Sequence, residues 1–432
     1  MLPARPPRLL LPGRPALLAA WDAAWRAAMA EPAQTTQEAA CHAAMRARVG
    51  GGPASMAALD AVYTRQERDG AIPARPDGAA TPDAGDYTHP PILSWIEWDY
   101  FTATGDASRL RRVFPHLALY FNWYLKNRTR PAGGFWWSAA ATGMPAVERP
   151  GAHAWIDYTA LAALDCEHLA LIALEIGNNR VASKCAAKYL ELKELVNEHF
   201  WDEAAGCYTD RDAKGRTTGQ PHLGAYWALL AGLATPSRAS RMVGSLESFG
   251  AFRRLYGMPA LPHGAPGYDP RAGVLPGMVV MVCRGLERLG AHAQAHEIAL
   301  AHVTQAARLL ERTETLWAEH APDIDEPAPG SQGGPAALLA PTVLLLDHVM
   351  GVRVDALLGE VTWRLFLDEE IGVEDLAVGP VRARLHATWE RGRREVTVEA
   401  DGGLTVLLHG PAASRIVELP RAGGRRSIPL MG

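Results

Sequence analysis

No long apolar run, no cysteine pair at redox or metal spacing and no block of like charge occurs in this 432-residue chain, and each absence excludes a class of function. The opening MLPARPPRLLLPGRPALLAAW is broken by prolines and Arg14 well below signal or membrane length, and no small-residue cleavage site follows it cleanly. A cytoplasmic location with no membrane partner is expected. The five cysteines (Cys41, Cys166, Cys185, Cys207, Cys283) are widely spaced and odd in number, which argues against a disulfide framework and a structural zinc and predicts buried, reduced thiols. With 43 basic against 47 acidic residues the net charge is −4, and the arginines are scattered, so no nucleic-acid partner is expected. Gly50-Gly51-Gly52 lacks the Lys and Ser/Thr of a phosphate loop, and no serine nucleophile elbow occurs. His292 and His296 stand at helical spacing with only Glu297 nearby, so neither a metal nor another cofactor is predicted.

What is present is helix. Hydrophobic residues make up 48% of the chain and charged residues 21%, in stretches that lack strand alternation. Apolar periodicity predicts helices at 16–29, 36–48, 56–69, 92–104, 107–127, 156–176, 179–199, 222–233, 237–248, 274–289, 292–312 and 335–349. Gly177-Asn178 between two of them signals an α-hairpin, and about twelve helices make six hairpins. After Gly351 the pattern alternates, at Val361 to Leu367, Val381 to His386, Arg394 to Glu399, Leu404 to Leu408 and Arg415 to Leu419. The expected fold is mainly α, an (α/α)6 six-hairpin toroid over residues 1–352, followed by a small β-rich domain over 353–432.

Loops of such a ring meet on one concave face, where polar and aromatic residues converge. Trp95 and Trp98 follow His89-Pro90-Pro91, Trp136 and Trp137 lie in a Gly-flanked loop, and Trp317 heads another. Flat aromatic faces of this kind suit sugar C–H groups, although Trp95 and Trp98 fit a packed core equally well. Glu97 and Asp99, two apart on a helix, face different ways and make no carboxylate pair.

Taken in order, Leu59 to Gly70, Thr88 to Trp98, Thr104 to Asp106, Gly134 to Trp137, Ala141 to Met144, Trp155 to Tyr158, Phe200 to Glu203, Cys283 to Leu286 and Leu316 to Pro322 resemble segments of glycoside hydrolase family 63 and its bacterial mannosylglycerate-hydrolase-like relatives. The resemblance spans nearly the whole barrel. It implies inverting hydrolysis of an α-linked glucoside, mannoside or glycosylglycerate by two carboxyl groups roughly 6.5 to 9.5 Å apart, without a metal. The family's acid follows Gly-Met, and here Gly143-Met144 is followed by Pro145, although Arg149 still matches. Ala318 stands at the place of the family's glutamate base, one residue before Glu319. Arg271 matches an arginine that faces the sugar in the family, but the tryptophans around it are missing.

Two readings follow. In the first the chain is an active hydrolase with Glu319 as base, Glu148 or Asp157 as acid, and His89, Trp95, Trp98, Trp136, Trp137, Arg149, Arg271 and Trp317 holding a small saccharide. In the second it is a catalytically degenerate barrel that binds a saccharide or a protein partner. A third, weaker reading is an epimerase on the same kind of barrel, using histidines such as His89 or His222.

Overall fold

A computed structural model describes residues 5–30, 33, 35–49, 56–74, 90–137, 147–390 and 393–431. After a short strand β1 (Arg8–Leu10) come α1 (Pro15–Ala30), α2 (Thr36–Arg46), α3 (Ala57–Tyr63), α4 (Leu93–Thr104), α5 (Ala107–Asn127), α6 (Ile156–Glu175) and α7 (Asn179–His199). A small ribbon of β2 (Trp201–Asp202) and β3 (Cys207–Tyr208) precedes α8 (Trp227–Leu230), α9 (Pro236–Glu247), α10 (Pro276–Arg288) and α11 (His292–Thr313). The last barrel helix, Ala340–Val349, is wound as a π-helix and buried along its whole length.

Neighbour relations close a ring. α2 packs on α4, α4 on α6, α6 on α8, α8 on α10, α10 on the Ala340–Val349 helix, and that helix on α2. α7 and α11 pack outside as hairpin partners of α6 and α10, α3 and α5 lie against α2 and α4, and α1 lies against α11 and the Ala340–Val349 helix. The sequence explains which helix goes where. α6 is apolar nearly all round, with Asp157 and Asp165 buried beside its alanines and leucines, whereas α7 buries only Ala182, Cys185, Leu192 and Val196. A helix apolar on every side belongs inside and one with a single stripe outside. Asn178 caps α7 by accepting from the Val181 N–H, after Gly177 at φ +81° has reversed the chain. All five cysteines are buried free thiols. No described helix is long and apolar enough to cross a membrane.

The β unit holds two sheets. One has the order β1-β6-β7-β8-β11 and the other β10-β9-β5-β4, with β4 (Val352–Asp355), β5 (Glu360–Arg364), β6 (Ile371–Val378), β7 (Val381–Glu390), β8 (Arg393–Ala400), β9 (Leu404–His409), β10 (Ser414–Leu419) and β11 (Gly424–Met431). Burial alternates along β5, β8 and β9, so each sheet hides one face in a shared core. β1 pairs antiparallel with β6, Arg8 opposite Glu374 and Leu10 opposite Gly372. The β unit thus draws on both ends of the described chain, which a division at residues 352 and 353 does not anticipate.

Candidate ligand-binding site

The ring surrounds a chamber, partly open to solvent, with a cavity volume of about 140 Å3. Trp95 from α4, Tyr158 from α6 and Trp227 from α8 form its aromatic walls, and Met278 and Met281 from α10 with Leu339 form an aliphatic one. Cys41, Leu161 and Ala318 complete much of the surface, and the exposed Gln37 stands at the rim. Among the described lining residues none is charged.

Trp137 stacks on Tyr158 with ring centroids 5.3 Å apart and is buried, so it backs the wall instead of facing the chamber. Its loop is set by Gly134, at φ +82° and so close to Phe200 that a Cβ would meet the ring at 2.8 Å. The next residue's backbone N–H donates to Thr159 Oγ1 on α6. Trp136 is half-buried and carries Arg130 at 4.3 Å and Arg128 at 4.8 Å over its ring. Trp98 packs on Phe101, and the half-buried Trp317 donates to Thr313 Oγ1 at 2.9 Å. His89 and Pro145 lie outside the described residues.

The Arg149 side chain is buried and its guanidinium forks onto both oxygens of Asp157, with a further bond of 3.2 Å to Asp210 and the Trp155 ring 4.4 Å away. Asp157 is fully buried at the first turn of α6 and also accepts from the Tyr158 N–H. A carboxyl engaged in this way accepts on both oxygens, and its full burial keeps it from a ligand. Burial works to raise the Asp210 pKa, but the charge of Arg149, with His222 and the Ile156 N–H, takes it below the usual carboxylate range. His222 is buried 3.5 Å from Asp210 and does not line the chamber. Glu148 is exposed, with its backbone carbonyl accepting from Gln220, and Arg271 is 65% exposed beside Asp269.

The 317–320 segment decides the position of the expected base. His320 makes bridges with Val274 and Pro327, so the chain is locally extended and successive side chains point to opposite sides. Ala318 faces the chamber. Glu319 turns the other way, where Oε1 accepts from the Gly273 N–H at 2.6 Å. Burial raises the Glu319 pKa and the Gly273 bond offsets part of that rise. Of the sequence-predicted residues, then, the structure places Trp95 on the chamber wall, Trp137 behind it and Arg149 with Asp157 in a separate buried cluster. Trp227, Met278 and Met281 were not expected, because apolar periodicity reads them as ordinary core.

A closed ring of paired helices around an axial chamber, joined to a two-sheet β unit, defines the six-hairpin barrel glycosidases. The model of the mannosylglycerate hydrolase MGH1-like glycoside hydrolase domain matches residues 32–146 and 138–332, and the chain belongs to this family. An uncharacterized protein of Borreliella burgdorferi is 23% identical over 346 residues, covering 75% of this chain and 73% of its own. Among solved structures, the family 63 mannosylglycerate hydrolase of Thermus thermophilus with glucose bound covers 77% of this chain and 100% of its own at 17% identity and TM-score 0.59. A family 78 rhamnosidase of a Bacillus species covers 94% of this chain at 16% identity and TM-score 0.70, while this chain spans only 43% of the rhamnosidase. At these identities the likeness concerns the fold.

Proposed function

We propose that this member of the family holds a small-molecule ligand in its axial chamber and does not cleave it. The observation that carries this reading is Ala318 on the chamber wall, in a lining whose described residues include no carboxylate. Inverting hydrolysis needs a proton donor and a base on opposite sides of the scissile bond. Each such group contributes roughly 10² to 10⁴ in rate, so loss of both removes most of the acceleration. Pro145, at the acid's place, has no proton to give.

The test is release of nitrophenol from a panel of nitrophenyl α-glucosides, α-mannosides and α-rhamnosides by the purified protein. No release above the uncatalysed rate is expected. A second reading, hydrolysis with Glu319 as base and Glu148 or Asp157 as acid, draws support from the half-buried Glu319 carboxyl one residue from the wall, its pKa raised by burial. Turnover that Glu319→Gln abolishes would establish that second reading in place of ours.

A further inference from the structure

We propose that the axial chamber takes an uncharged, ring-containing, largely hydrocarbon molecule in preference to a free sugar. This deepens the non-cleaving reading and rests on it. A sugar exposes a hydroxyl on nearly every carbon, and each needs a hydrogen-bond partner once it leaves water. The polar side-chain groups of the described lining are the Gln37 amide, exposed at the rim, the Tyr158 hydroxyl and the ring N–H groups of Trp95 and Trp227, too few to match the hydroxyls of a sugar.

The charged residues that adjoin the lining in sequence are already committed to protein partners. Glu97, next to Ile96, accepts from Arg109 and from the Tyr63 hydroxyl. Asp157, next to Tyr158, is forked by Arg149, and Glu319, next to Ala318, is held by Gly273. Freeing Glu97 or Asp157 for a hydroxyl would take the main counter-ion from a buried guanidinium, and freeing Glu319 would leave the Gly273 N–H without its acceptor.

What remains fits an apolar guest. Cavities lined by hydrocarbon hold no well-bonded water and accept apolar molecules in its place. Trp95, Tyr158 and Trp227 contribute aromatic rings from three successive inner helices, and Trp137 stacks on the Tyr158 ring. Such aromatics receive a flat or alicyclic ring by stacking. Met278 and Met281 stand on α10 and adapt their flexible thioethers to its outline. A charged ligand is disfavoured by the same lining, which has no described counter-ion to offer it.

The test is fluorescence titration of the purified full-length protein with Nile red, an uncharged ring dye. Saturable binding at one site with blue-shifted emission is expected, and naphthalene should displace the dye. Ala318→Glu, which places an unpaired carboxylate on the wall, should weaken binding by about tenfold or more. Met281→Trp, which fills the chamber, should weaken it likewise, with far-ultraviolet circular dichroism confirming that each variant is folded. Absence of saturable binding by the wild-type protein, or folded variants that both bind as wild type, would overturn the proposal. Displacement of the dye by methyl α-glucoside or methyl α-mannoside at concentrations as low as those of naphthalene would show a sugar site. The ligand class would then be wrong while the non-cleaving reading stood, whereas nitrophenol release would remove that reading itself.

Discussion

Asp165 brings a carboxyl into the wall between α5 and α6, where the Tyr124 hydroxyl donates to it at 2.9 Å. Burial raises its pKa to about 6. The folded state therefore binds this proton more tightly than the unfolded chain does. The stabilisation is full below the unfolded value near 3.8 and is lost as pH rises through about 6, a change of roughly 3 kcal/mol at most. Asp165→Asn keeps the acceptor for Tyr124 without the charge. Urea denaturation should find it more stable than wild type at pH 7.5 and close to wild type at pH 4. At this scale the candidate site was partly legible in the sequence. Trp95 was named because it follows a proline stop that opens a helix at the loop face, and it lies on the wall. Trp137 was named because it lies in a Gly-flanked loop, and it lies one layer back, because composition and spacing do not show how deeply a loop ring is seated. Ala318 and Glu319 show the reverse case: their alternate facing follows from extended backbone, and no periodic signal in 317–320 announces it.

Helices were the most readable elements. Ala107–Asn127 and Asn179–His199 have the bounds that periodicity and caps imply, with Asp106 accepting from the Ser108 and Arg109 N–H groups and Asn178 capping its own helix. The stretch predicted as one helix over 222–233 is instead a 3-10 turn, Leu223–Tyr226, followed by the single α-turn α8, because Gly232 at φ +65° ends it early. Strand β6 escaped notice because a bulge between Val373 and Leu376, with Asp375 at φ 57°, breaks its alternation. β11 did so because its arginines and Pro429 read as loop, yet it lies at a sheet edge, where proline is tolerated. The inner and outer rings should also differ in tolerance. Ala163 on α6 is fully buried, and Ala163→Leu should lower stability by about 1 to 3 kcal/mol through overpacking. Leu190 on α7 is 64% exposed, and Leu190→Ala should change stability by no more than about 0.5 kcal/mol, both measured by chemical denaturation.

On the scale of the molecule, barrel and β unit are joined by a compact set of buried charges. Asp347, on the Ala340–Val349 helix, accepts from Arg48 beside α2 and from Arg353 on β4, both at 2.5 Å. Arg284 of α10 pairs with Asp99 of α4 at 2.5 Å, and Arg353 also reaches Glu287. Removing Asp347 would leave two guanidinium groups without their shared acceptor. Asp347→Ala should cost about 3 to 5 kcal/mol and split a single thermal transition into two, as calorimetry would record. The sequence showed the two architectures on either side of Gly351 but not this junction, since its members are spread from Arg48 to Arg353. The pairing of β1 with β6 adds a constraint of another kind. Ribosomal synthesis proceeds from the N-terminus, so Arg8–Leu10 are made long before Ile371–Val378, the strand that completes their hydrogen bonds. The strand before α1 therefore waits, unpaired, through the making of the whole barrel, and the order in which this chain is written differs from the order in which it is assembled.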